Sequence, residues 1–201
     1  MDCPPSKNFK HPQGDLESKM VERKNSKVEQ MLILVDKNDK SLGKYASKER
    51  CHIGKGLHHR AFTILIFNKK GKVLLQKRKH ELWDGFWDLT NSHPLHKDNK
   101  NESYHQAATR CLKREWGIET PVKKLFGFNY LAKYKKNFCE NEYCLFLVGE
   151  CKRNVYPNPE VAYGYKWMAL EPLLKDIKIH PNKYTPWTRK ALQEFESRGK
   201  I

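Results

Sequence analysis

The sequence predicts one mixed α/β domain of the α+β kind, a mixed β-sheet carrying helices. Three observations lead there. Residues 61–67 form an almost unbroken β-rich apolar run. Residues 102–116 carry a capped helical pattern. Thr185-Pro186-Trp187 opens a closing helix. Strands interleaved with a central and a terminal helix fit a sheet covered by helices around one core.

The elements follow in chain order. Residues 1–28 are poor in apolar side chains and rich in Lys, Ser, Pro and Asn, so they read as a basic, flexible tail, with the domain over 29–201. Met31-Leu32-Ile33-Leu34-Val35 suits a first strand, and 36–43 is turn-rich. The run 61–67 reads as a strand buried on both faces. Asn68-Lys69-Lys70-Gly71 supplies a hairpin turn into Val73-Leu74-Leu75. Within 102–116, Ser103 and Gln106 have capping-box spacing and Gly117 suits the terminating position. Strands are expected over 125–130, 143–148 and 161–170. Thr185 then stands as N-cap with Pro186 at the first helical position.

Composition narrows the function classes. The 201 residues carry 39 basic and 23 acidic side chains, a net +16, which favours anionic partners. Nucleic acid is one such partner, although the motifs below do not favour it. No stretch approaches the roughly 20 apolar residues of a membrane span. No apolar leader follows Met1, and the six cysteines (3, 51, 111, 139, 144, 151) form no CxxC pair. The expectation is a cytoplasmic protein with reduced thiols. Nothing in the pattern assigns an oligomeric state.

Chemistry-bearing residues cluster in separate motifs. Glu102, Arg110, Glu115, Gly117 and Ile118 follow the pattern E-x7-R-x4-E-x-G-apolar. Glu102 and Arg110, eight apart, would share a helix face. Glu115 would lie in the last turn, able to hold a divalent cation on a phosphate chain. The pattern resembles the Nudix box, G-x5-E-x7-R-E-U-x-E-E-x-G-U, with His96, Cys111 and Arg114 standing where the box has Gly, Glu and Glu. Further motifs surround it: Cys51-His52, Gly56-Leu57-His58-His59-Arg60, Trp83-Asp84-Gly85-Phe86-Trp87, Thr90-Asn91-Ser92-His93-Pro94, Glu140-Asn141-Glu142-Tyr143-Cys144 and Tyr184-Thr185-Pro186-Trp187. In this order the set resembles the type I isopentenyl-diphosphate isomerases, a branch of the Nudix superfamily, over about residues 32–195.

The resemblance implies a Nudix-fold sheet sandwiched by helices and a metal site of His52, His59, His93, Glu140 and Glu142. Imidazole with carboxylate suits Zn²⁺, Mn²⁺ or Fe²⁺, with Mg²⁺ a further candidate for this site. Glu140 and Glu142, two apart on a strand, would project from one face. A second ion, Mg²⁺ bound with the diphosphate, would be held by Glu115. Lys48, Arg78 and Lys79 (or His80) match the family's diphosphate-binding cations. Glu142 aided by Tyr130 would be one acid/base, and the Trp187 ring would face the carbocation. The implied substrate is a small prenyl diphosphate, and the implied reaction interconverts isopentenyl and dimethylallyl diphosphate in isoprenoid biosynthesis.

The family's second acid/base is a Cys, and Asn91 stands at its position. An amide hydrogen-bonds and does not exchange protons at ordinary pH. Two routes around this are open: Cys144, on the strand face of Glu140 and Glu142, or a water held by Asn91. Two other functions also stay open: a Nudix-type diphosphate hydrolase, and a non-catalytic prenyl-diphosphate or nucleic-acid binder.

Overall fold

The structure is a computed structural model that describes residues 29–199; the tail expected over 1–28 lies outside the described residues. The chain begins with β1 (Met31–Val35), β2 (Ser41–Ser47) and a five-residue helix α1 (Lys48–His52). Next come β3 (His59–Asn68), β4 (Lys72–Arg78) and four short strands, β5 (Trp87–Asp88), β6 (Thr90–Ser92), β7 (Leu95–Lys97) and β8 (Lys100–Asn101). Helix α2 (Tyr104–Trp116) leads to a long hairpin, β9 (Val122–Tyr134) with β10 (Phe138–Cys151). The chain closes with β11 (Ala162–Ala169), α3 (Leu170–Ile179), a 3-10 turn (Pro181–Lys183) and α4 (Pro186–Ser197).

β3 is the spine, buried on both faces as its composition predicts. β10 runs parallel to it, pairing Glu142 with His59, and β6 runs antiparallel along its other edge, pairing Asn91 with Thr63. Phe62, Ile64 and Ile66 pack with Leu112 and Trp116 of α2. Leu65, on the opposite face, packs with Leu173 and Ile177 of α3 and Ala191, Leu192 and Phe195 of α4. The sheet is therefore sandwiched by helices, and both apolar faces of β3 leave water.

Local signals explain most boundaries. The Ser103/Gln106 capping box forms in both directions, and Gly117 ends α2 at φ 63°, a left-handed conformation that glycine adopts without steric cost. Four expectations need correction. Glu102 lies before α2, so its pairing with Arg110 is not made along one helix face. Residues 41–43, expected as turn, already belong to β2. Strand β11 stops at Ala169, and Leu170 begins α3, whose Ala169 N-cap offers no side-chain hydrogen bond. Thr185 occupies the N-cap position of α4 but makes no cap bond; its hydroxyl donates to Asp88 Oδ1 instead, at 2.8 Å. The five described cysteines are free and buried. No helix among the described residues is long and apolar enough to cross a membrane.

Candidate active site

Four elements bring five ligand-type side chains together. Helix α1 ends on His52, β3 begins at His59, His93 follows β6, and β10 presents Glu140 and Glu142 from one face. One donor atom from each of the five lies within 4.8 Å of all the others. His52 Nε2 is 2.9 Å from Glu140 Oε2, and His59 Nε2 and His93 Nε2 are 3.2 and 2.9 Å from Glu142 Oε1. The neighbouring His58 turns away: its Nδ1 and Nε2 reach Val35 O and Asn129 Oδ1.

The donor set fits a divalent ion. His52 Nδ1 donates to Lys48 O at 2.6 Å, and His59 Nδ1 donates to Leu57 O at 2.7 Å. With Nδ1 carrying the proton, each ring in its neutral form aims an Nε2 lone pair inward, the second-sphere arrangement of metal-binding histidines. Those lone pairs face carboxylate oxygens. His59 Nε2 and Glu140 Oε2 are buried without a hydrogen bond, close to neighbours but misaligned with them. Acceptors converging on acceptors call for a cation at the centre. Burial holds the His93 ring well below its usual pKa, which favours the neutral form. Burial pushes Glu142 up, but the adjoining His59 and His52 rings and the hydrogen bond from Tyr130 outweigh it and hold its carboxyl low.

Beside this centre lies a cavity of about 320 Å³. Glu142, Tyr130, Asn91, Trp187, Lys48, Arg78, Lys79 and Glu115 all line it, as do His52, His93 and Glu140. His59 is the one candidate behind the wall, fully buried. Tyr130, cross-strand partner of Glu142, donates its hydroxyl hydrogen bond to Glu142 Oε2. Trp187 is packed edge-on against Trp83, ring centroids 5.2 Å apart, with the Arg78 guanidinium 5.1 Å from its ring.

Several expectations change here. Cys144 shares the predicted face, but its thiol lies in the apolar core facing Thr63 Oγ1 at 3.5 Å, and burial pushes it well above the usual thiol range. Cys144 is not among the residues that line the cavity, so its thiol is not presented to that space. His80 also lines the cavity, where burial, then Arg78 and Lys48, lowers its pKa to about 3. Arg114, which replaces a box carboxylate, lines the cavity and holds Glu115 Oε1 at 2.6 Å, while Glu115 Oε2 has no partner. Sequence reasoning also passed over Asp88, a fully buried acid bonded to Arg78, Asn91 and Trp187. Its signal was present as a lone acid in the apolar segment Phe86-Trp87-Asp88-Leu89.

Known proteins place this architecture. The NUDIX domain model matches residues 57–194. Isopentenyl-diphosphate Delta-isomerase 2 of Photorhabdus laumondii is 36% identical over 170 residues, covering 82% of this chain and 92% of that protein. Isopentenyl-diphosphate delta-isomerase 2 of Homo sapiens is 30% identical over 204 residues, covering 90% and 89%. In fold, the chain is similar to the crystal structure of DR0079 from Deinococcus radiodurans, with a TM-score of 0.63 at 15% identity over 82% of this chain and 98% of that one. The chain belongs to the isopentenyl-diphosphate delta-isomerase family, built on a NUDIX domain.

Proposed function

We propose that this protein interconverts isopentenyl and dimethylallyl diphosphate, with Glu142 as the proton-handling residue. One observation carries the reading: a buried Glu142 joins the His/Glu centre to the substrate-sized cavity while Tyr130 donates to its second oxygen.

The reaction moves a double bond by one carbon. A proton adds to the terminal alkene carbon, a tertiary carbocation forms, and a proton leaves the carbon on the diphosphate side. Glu142 and Tyr130 handle the proton on one side of the prenyl group. The Trp187 ring closes the cavity and presents a π-face to the developing positive charge. Lys48, Arg78, Lys79 and Arg114 supply the positive end for the diphosphate. Asn91 and Glu142 sit on strands flanking opposite edges of β3. The wall at Asn91 then offers hydrogen-bonding groups that orient a water for the second proton transfer.

His52, His59, His93, Glu140 and Glu142 would hold one divalent ion, Zn²⁺, Mn²⁺ or Mg²⁺, whose charge keeps Glu142 ionised and oriented. Glu115, through its unpartnered Oε2, would hold Mg²⁺ on the diphosphate. Hydrolysis is disfavoured because Cys111 and Arg114 replace two box carboxylates. Free, buried thiols fit a reducing compartment, and we assign the enzyme to the cytoplasm.

The test is turnover of isopentenyl diphosphate by the metal-loaded protein, followed as formation of the acid-labile allylic isomer. Release of phosphate in its place would favour the hydrolase reading.

A further inference from the structure

One carboxylate that the proposed chemistry does not use ties the cavity wall together. Asp88, on β5, is fully buried. Its Oδ1 accepts from Thr185 Oγ1 at 2.8 Å, Trp187 Nε1 at 2.7 Å and Thr188 Oγ1 at 2.9 Å. Its Oδ2 accepts from Arg78 Nη1 at 3.1 Å and Asn91 Nδ2 at 2.6 Å. Asp88 does not line the cavity, but Arg78, Asn91 and Trp187 do.

The two oxygens divide the work. A carboxylate that only fastened the start of α4 would need Oδ1 alone. Oδ2 serves two side chains from β4 and β6, both on the cavity wall. Asn91 Nδ2 donates also to Leu89 O at 3.0 Å, so both amide hydrogens meet acceptors. That fixes which way the amide points and leaves its oxygen as the free polar atom. Arg78 is gripped from a second side, its Nε donating to Leu82 O at 2.9 Å. The guanidinium is thus aimed before any anion arrives, which lowers the ordering cost of binding.

We propose that Asp88 is the positioning residue of this site: it seats the Trp187 ring, turns the Asn91 amide so that its oxygen is the group left for the cavity, and aims the Arg78 guanidinium. The proposal rests on the isomerase reading. The three held groups are the aromatic face for the cation, the residue at the family's Cys position and a diphosphate-binding cation.

Asp88→Asn in the full chain separates positioning from folding. The variant keeps an oxygen for the three α4 donors and places an NH₂ against Arg78 and Asn91. Loss of these two hydrogen bonds should lower kcat and raise KM by about tenfold each, and weaken binding of inorganic diphosphate by about tenfold. Melting temperature should fall, because the new NH₂ faces two buried donors, while metal content should not change. Unchanged kcat, KM and diphosphate affinity in the folded variant would overturn the proposal, whether or not its melting temperature fell. If the variant does not fold, hydrogen exchange in the unmutated protein decides. Slow exchange of the Trp187 indole and Asn91 amide protons is expected, and fast exchange would overturn the proposal. An unmutated protein that turns over no substrate would refute the isomerase reading, while the diphosphate affinities would still test Asp88.

Discussion

Arg110 on α2 donates to the backbone carbonyl of His93 at 2.9 Å, so the box helix grips the segment that carries a candidate metal ligand. Glu102 fixes the guanidinium from the other side, accepting from Nε at 2.9 Å and Nη2 at 2.8 Å. In this chain Glu102 and Arg110 hold the backbone of the segment that carries His93. Arg110→Met should weaken metal binding by roughly 10–100-fold, the usual cost of losing an outer-sphere support. Competition with a chelator of known affinity measures it, and unchanged affinity would detach the box helix from the metal centre.

The same pair predicts an acid limb of stability. Burial pushes the Glu102 carboxyl up, but Arg110 and the Leu95 amide outweigh it, so its pKa lies below the ordinary 4.5. For a depressed carboxylate the stabilisation is fully present above the unfolded value and is lost as pH falls through the folded one. Glu102→Gln should therefore melt earlier than the unmutated protein at pH 7, and the gap should close as pH falls through the depressed folded value, below the ordinary carboxylate range. Melting curves across pH 3–7 check this; a constant gap would mean that Glu102 acts without its charge.

Metal content tests the ligand set. Purified protein should carry about one tightly bound divalent ion, and a strong chelator should lower its melting temperature, because an ion bound only to the native state stabilises it. His59→Ala combined with Glu140→Ala should abolish retention. Elemental analysis showing the same metal in the double variant would sink the assignment.

Much of this was legible in the sequence. The buried strand β3, the capping box at Ser103, the stop at Gly117 and the proline-led start of α4 are written in adjacent residues. The metal candidates were legible through their resemblance to a family, and the structure gathers all five. What escaped lacks a local signature. Helix α1 has five residues, too few for a period, and α3 starts without a capping side chain. Asp88 draws its meaning from Thr185, Trp187 and Thr188, which lie 97, 99 and 100 residues away. Cys144 shows the reverse case: strand alternation gave its face, but not that this face becomes core beyond Glu142.

Tyr130 should matter to rate more than to binding. Its hydroxyl bonds a Glu142 oxygen in a buried position, and burial pushes the phenol well above its usual range, so it serves as a donor. Tyr130→Phe leaves that oxygen short of a charge-assisted hydrogen bond. The kcat should fall about 10–100-fold with KM little changed. Steady-state kinetics would contradict this role if KM alone rose.

In the proposed reaction Glu142 handles a proton during isomerisation. An NMR time course of isopentenyl diphosphate with metal-loaded protein in D₂O tests it most directly, run beside Glu142→Gln with its metal content checked. Dimethylallyl diphosphate carrying deuterium from solvent is expected with the unmutated protein, and loss of conversion with metal-retaining Glu142→Gln. Unchanged substrate without deuterium exchange in the unmutated protein, or full activity in the variant, would contradict it.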